Sequence, residues 1–87
     1  MAEVSIPLLL SDCTGGARRA EVEGATLGEI IAALDAIYPG LKRRIYDGKK
    51  LTATVALVID GKIAVEGLDT PVGPHAHVNI LPAFGGG

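Results

Sequence analysis

One stretch of this sequence carries a sustained helical period: "TLGEIIAALDAIYPG", residues 26–40. Leu27, Ile30, Ile31, Leu34 and Ile37 fall on one stripe, with Glu29 and Asp35 away from it. Thr26 and Glu29 stand in the spacing of a capping box, in which each side chain satisfies a backbone N–H of the other. "YPG" then stops the helix, because proline cannot continue it. A single amphipathic helix must bury its stripe against another layer, and the remaining segments read as strands.

"EVSIPLLL" alternates, with Val4, Ile6, Leu8 and Leu10 on one face and Glu3, Ser5 and Pro7 on the other. Pro7 predicts that part of this first strand lacks a hydrogen-bonded neighbour on one side. "SDCTGG" reads as a hairpin loop and "ARRAEVE" as the returning strand, with Ala20 and Val22 facing inward. After the helix, "LKRRIYDGKKL" is a charged linker with room for one irregular helical turn, its basic side chains forming a solvated face. "TATVALVID" has the β-branched and aliphatic content of a central strand. "DGK" is a tight-turn signal, "KIAV" a short strand, "EGLDTPVGP" a loop, and "HVNILP" the last strand, closed by Pro82. The order β-β-α-β-β-β predicts an α+β roll: a mixed sheet of about five strands with one main helix packed across it.

Composition narrows the function. The 87 residues suit one domain with an aliphatic core, since 48% are hydrophobic and only three are aromatic. A net charge of −2 supplies no basic field for a phosphate backbone, so no nucleic acid partner is expected. The longest apolar runs are far short of the roughly 20 residues that span a bilayer, and Glu3 spoils a signal-peptide start. The expectation is a cytoplasmic protein without a membrane partner. Cys13, the one cysteine, cannot form an internal disulfide or build a thiolate metal cluster alone, and reads as an incidental thiol. His75 and His77 alternate as strand neighbours would, but two histidines without a third ligand rarely hold a metal. They read as solvated positions at the mouth of a strand, and no metal site is expected. No Ser/His/Asp or Cys/His constellation can be argued, so the chain reads as no enzyme.

The sequence ends "ILPAFGGG". Glycine has no side chain to bury and loses more backbone entropy on ordering than any other residue, so as structure Gly85, Gly86 and Gly87 are worth little. A frayed end is one explanation. The other is a thin tail that threads a narrow channel and delivers an α-carboxylate to another protein's active site. The sequence divides on this basis into a domain over residues 1–82 and a flexible tail over residues 83–87.

The hairpin with "TGG", the capped helix "TLGEIIAAL" and above all the terminal "LPAFGGG" resemble the ubiquitin-like β-grasp sulfur-carrier family. That family includes the small subunit of molybdopterin synthase (MoaD) and the carriers of the thiamine (ThiS) and cysteine (CysO) pathways. Its final strand commonly runs into L-P-x-[aliphatic]-[Ala or Gly]-Gly-Gly, matched here by Leu81, Pro82, Ala83, Phe84, Gly85, Gly86 and Gly87. Phe84 replaces the usual aliphatic residue, and "GPHAHV" stands where many relatives carry an acidic turn. The diglycine already lies at the end, so no trimming protease is expected.

The resemblance implies a protein substrate and sulfur donor. An E1-like adenylating enzyme would use ATP and Mg²⁺ to activate the Gly87 carboxylate, a persulfide or sulfide would displace AMP, and the resulting thiocarboxylate would serve a sulfur-accepting synthase. No cofactor would be bound tightly by the carrier. Gly85 and Gly86 would thread the partner's slot, where a Cβ would meet the walls. Leu81, Pro82 and Phe84 would be partner contacts, with Phe84 the anchor. Two alternatives stand beside this: a ubiquitin-like modifier joined to lysines through Gly87, and a molybdopterin synthase small subunit. An interaction module with an idle tail is a third.

Overall fold

The computed structural model describes residues 1–47, 50–52, 55–64 and 67–82. Residues 83–87, and with them the expected flexible tail and the threading and anchor positions Phe84, Gly85, Gly86 and Gly87, lie outside the described residues.

Strand β1 (Ala2–Ser5) pairs antiparallel with β2 (Arg19–Val22) and parallel with β7 (His77–Pro82). β7 pairs antiparallel with β5 (Val55–Ile59), and β5 with the short β6 (Lys62–Ile63). The sheet order is therefore β2-β1-β7-β5-β6, with the last strand in the middle. This is the expected mixed five-stranded sheet. "TATVALVID" supplies an inner strand, but the centre belongs to β7. The β5–β6 turn has positive φ at both Asp60 (49°) and Gly61 (84°), as a two-residue I′ hairpin requires.

Helix α2 (Leu27–Ile37) crosses one face of the sheet. The Thr26 hydroxyl accepts from the Glu29 N–H at 3.3 Å, and the Glu29 carboxylate accepts from the Ala25 N–H at 3.1 Å, so the reciprocal bond lands one residue before the cap. Leu27, Ile30, Ile31 and Leu34 are fully buried against Val4, Leu57, Val78 and Ile80. Each such side chain contributes about 1.5–3 kcal/mol of transfer free energy. The stripe ends sooner than its period suggests: Ile37, the last helical residue, is 52% exposed, and Tyr38 packs against the core in its place.

Three other expectations need correction. The first strand stops at Ser5, and Leu8–Leu10 form a 3-10 turn in which Leu8 is 70% exposed while Leu10 is buried. Pro7, which cannot donate to a ladder, is the N-cap of that turn rather than a strand residue. "SDCT" is not loop but a one-turn helix, α1 (Ser11–Thr14), ended by Gly15 at φ 65°. The linker contains the expected helical turn, α3 (Leu41–Ile45), but continues into a separate two-stranded ladder of β3 (Tyr46–Asp47) with β4 (Lys50–Leu51). Leu41, Ile45 and Tyr46 enter the core, so this segment is structural as well as charged.

Candidate functional site: the root of the C-terminal tail

The geometry of the tail's root follows from the two ladders of β7. On the β1 side, pairing ends at Ser5 opposite Asn79; on the β5 side it continues to Val55 opposite Pro82. Ile80, Leu81 and Pro82 are thus held by β5 alone. β1 has turned away at Ile6 and Pro7, which opens a shallow groove of about 350 Å³ beside the end of β7. Pro7, Leu8 and Arg18 wall one side of it and Asn79, Leu81 and Pro82 the other. The Arg18 Nε donates to the Ile6 carbonyl at 2.9 Å, which fixes the guanidinium at the rim.

Period-two alternation sends Val78 and Ile80 into the core and leaves Leu81 facing outward, 43% exposed. Leu81 stands opposite Ala56, and Val58 stands opposite Ile63, which is 70% exposed. The β5–β6 half of the outer face is consequently apolar, while Glu3, Ser5, Arg19, Glu21 and His77 make the β1–β2 half polar. Leu81 and Pro82, both expected as partner contacts, lie together at the tail's root. Sequence reasoning did not find Leu8 beside them, because it placed Leu8 on the inner face of a continued strand.

The histidines separate. His75 lies in the turn before β7, whereas His77 begins the strand, with its Nε2 2.8 Å from the Ser5 Oγ and 3.9 Å from a Glu3 carboxylate oxygen. Serine and carboxylate share one ring nitrogen. A nucleophile relay needs the acid on the opposite nitrogen from the serine, so this cluster is not arranged as a triad. Its backbone also ties into the β5–β6 turn, since the Asp60 carboxylate accepts from the His77 N–H at 2.9 Å.

Arg44, expected on a solvated face, instead bridges α3 to α1. Its guanidinium donates to the Asp12 carboxylate at 2.9 Å, to the Cys13 sulfur at 3.2 Å and to the Leu9 carbonyl at 3.2 Å. The hydrogen bond from Arg44 holds the Asp12 carboxyl below its usual range. Cys13 is half-buried and packs against the core. Among the described residues, no group of three or more His, Cys, Asp or Glu side chains converges on a metal-sized site, and no helix is long and apolar enough to cross a membrane.

A five-stranded mixed sheet, one crossing helix and a central last strand that leads into a diglycine define the ubiquitin-like β-grasp class. The chain belongs to the ThiS family, whose model matches residues 4–87. It is 37% identical to the sulfur carrier protein CysO of Mycobacterium tuberculosis, over 97% of this chain and 96% of that protein. Among solved structures it is similar to the Amycolatopsis orientalis BexX/CysO complex, with a TM-score of 0.91 and 32% identity over 100% of both chains. It is also similar to small archaeal modifier protein 1 of Methanosarcina acetivorans, with a TM-score of 0.78 and 25% identity over 99% of this chain and 95% of that one.

Proposed function

We propose that this protein is a sulfur carrier whose Gly87 carboxylate is converted to a thiocarboxylate by an E1-like adenylating enzyme and then donates sulfur in a cytoplasmic biosynthetic pathway. The observation that carries the reading is the full-length match to the sulfur-carrier family, joined to a diglycine separated by three residues from the end of the central strand.

The chemistry requires activation first. A carboxylate would have to expel oxide, so its oxygen attacks the α-phosphorus of Mg²⁺-bound ATP, pyrophosphate leaves, and the acyl-adenylate can then expel AMP. Sulfide attacking the acyl carbon gives the thiocarboxylate directly. With a persulfide the sulfane sulfur attacks, and a second thiol opens the acyl disulfide, leaving as the donor's disulfide. All of this takes place in the partner's active site. The carrier contributes a tail without Cβ atoms at Gly85, Gly86 and Gly87, a chain direction set at Pro82, and contacts from Leu81, Pro82 and Phe84 that offset part of the tail's ordering entropy, about 1–2 kcal/mol per residue. A sulfur-accepting synthase completes the cycle.

Gly86→Ala tests the threading role. It should leave the fold intact and slow ATP–pyrophosphate exchange severely with an activating enzyme that accepts the parent chain; an unchanged rate contradicts it. The likeness to an archaeal modifier protein favours a second reading, conjugation of Gly87 to lysine. Reductant-stable conjugates of higher mass, formed in place of a thiocarboxylate, would establish that reading instead.

A further inference from the structure

Charge is segregated along this chain. The net charge is −2, yet five of the eight basic residues lie between positions 42 and 50 with Asp47 as the one acid among them. Residues 42–50 therefore carry +4, and everything else −6. In the fold, Lys42 and Arg43 are exposed on α3, and among the described residues neither forms an ion pair. Asp35 lines the same shallow depression, and its Oδ1 already accepts from the backbone N–H groups of Gly40 and Lys42, at 3.1 Å each. Arg44 is already answered by Asp12. Favourable interaction with a helix dipole does not account for two further cations, because α3 has only five residues and ends at once in β3.

This positive face is tied to the root of the tail. The Thr52 hydroxyl donates to the Arg44 carbonyl at 3.0 Å and the Thr52 N–H to the Ile45 carbonyl at 2.8 Å. The Val55 N–H in turn reaches the Thr52 carbonyl at 3.4 Å, and Val55 is the strand partner of Pro82. The basic helix is thus joined to Pro82, the last described residue before the tail, through Thr52 and the start of β5.

We infer that Lys42 and Arg43 form an electrostatic docking contact for an acidic surface on the enzyme that activates the tail. This rests on the proposed carrier function and adds a named second contact to the apolar one around Leu81. A negatively charged carrier approaching an acidic protein would be repelled overall; a local cationic face beside the tail orients the encounter so that the tail leads. Charges at the rim of an interface act mainly on association rate and its salt dependence. Their reach is short, since the Debye length is about 8 Å at physiological ionic strength.

The test is ATP–pyrophosphate exchange with an activating enzyme that accepts the parent, measured against carrier concentration at low and high salt. Lys42→Glu/Arg43→Glu should lower kcat/KM for the carrier by about tenfold at low salt, leave kcat unchanged, and largely remove the salt dependence seen in the parent. Lys42→Gln/Arg43→Gln should give a smaller loss in the same direction, and serves if the reversed variant folds poorly. Lys62→Glu, at the opposite end of β5, is the control and should change little. The inference is overturned if both variants keep the parent's kcat/KM and salt slope, if the loss is equal at all salt concentrations, or if Lys62→Glu matches it. A raised KM for ATP with that for the carrier unchanged would assign the cations to a phosphate group and also overturn it. Absence of exchange by the parent itself would count against the carrier function rather than against this contact.

Discussion

Val55 stands opposite Pro82 at the last rung of the β5–β7 ladder. Pro82, the last described residue, therefore ends the central strand held on one flank by β5 and open on the other to the groove between Leu8 and Leu81. That arrangement leaves an apolar surface beside the end of β7.

Leu81→Asp separates the two roles. Because Leu81 faces outward, the substitution should change stability by no more than about 0.5 kcal/mol, yet reduce kcat/KM in the adenylation assay by about tenfold through loss of apolar contact and unfavourable burial of a carboxylate. A thermal melt and the exchange assay on one preparation check both halves. A large fall in melting temperature would mean that Leu81 serves the fold instead.

Ile31, fully buried beneath the sheet, should behave oppositely. Ile31→Ala removes three carbons from a close-packed site and should cost about 2–5 kcal/mol in a urea titration, with adenylation of the remaining folded fraction unaffected.

The start of α2 depends on two small residues. A Cβ at Gly24 would lie 2.9 Å from the Glu29 Cβ and 2.9 Å from the Ile30 backbone nitrogen, so Gly24→Ala must push the chain off the capping segment. A loss of about 1–3 kcal/mol is expected. Thr26→Ala, which only deletes the cap acceptor, should cost about 1 kcal/mol. Equilibrium unfolding should rank Gly24→Ala as at least as damaging as Thr26→Ala; the reverse order would show that the segment yields easily.

These predictions fall on features of unequal legibility. The capping box and the strand His77–Pro82 could be read directly, because both are encoded by neighbours in sequence: a T-x-x-E spacing, and alternation ending in proline. Leu8 and Leu10 were misassigned because alternation continues past Pro7 although the ladder does not, and a 3-10 turn buries Leu10 without needing a strand. Helices of one turn, such as α1 and α3, are too short to show a period. The contacts that join remote segments left no local trace: Ser5 meets His77 across 72 positions, and Arg44 reaches Asp12 across 32. Leu81 and Pro82 follow from the terminal motif, while the helix that carries Lys42 and Arg43 is joined to the end of β7 only through Thr52 and the pairing of β5 with β7.

Tyr46 gives a pH dependence with a definite sign. The residue is only 4% exposed, and burial pushes the hydroxyl above the ordinary tyrosine value. The unfolded chain therefore releases this proton first, near pH 10. Stability is fully present below that value and declines as pH rises toward and through the folded one. Urea midpoints measured from about pH 9 upward should fall less steeply for Tyr46→Phe than for the parent; parallel curves would mean that Tyr46 titrates freely.

The central claim is tested most directly by the intact mass of the protein after incubation with ATP, Mg²⁺, an E1-like activating enzyme and a sulfide source. The account predicts a gain equal to one sulfur replacing one oxygen, located in the C-terminal peptide, trapped by alkylation at sulfur, and absent from a variant lacking Gly86 and Gly87. An unchanged mass with an enzyme shown to adenylate the chain, accompanied by lysine-linked conjugates, would contradict it.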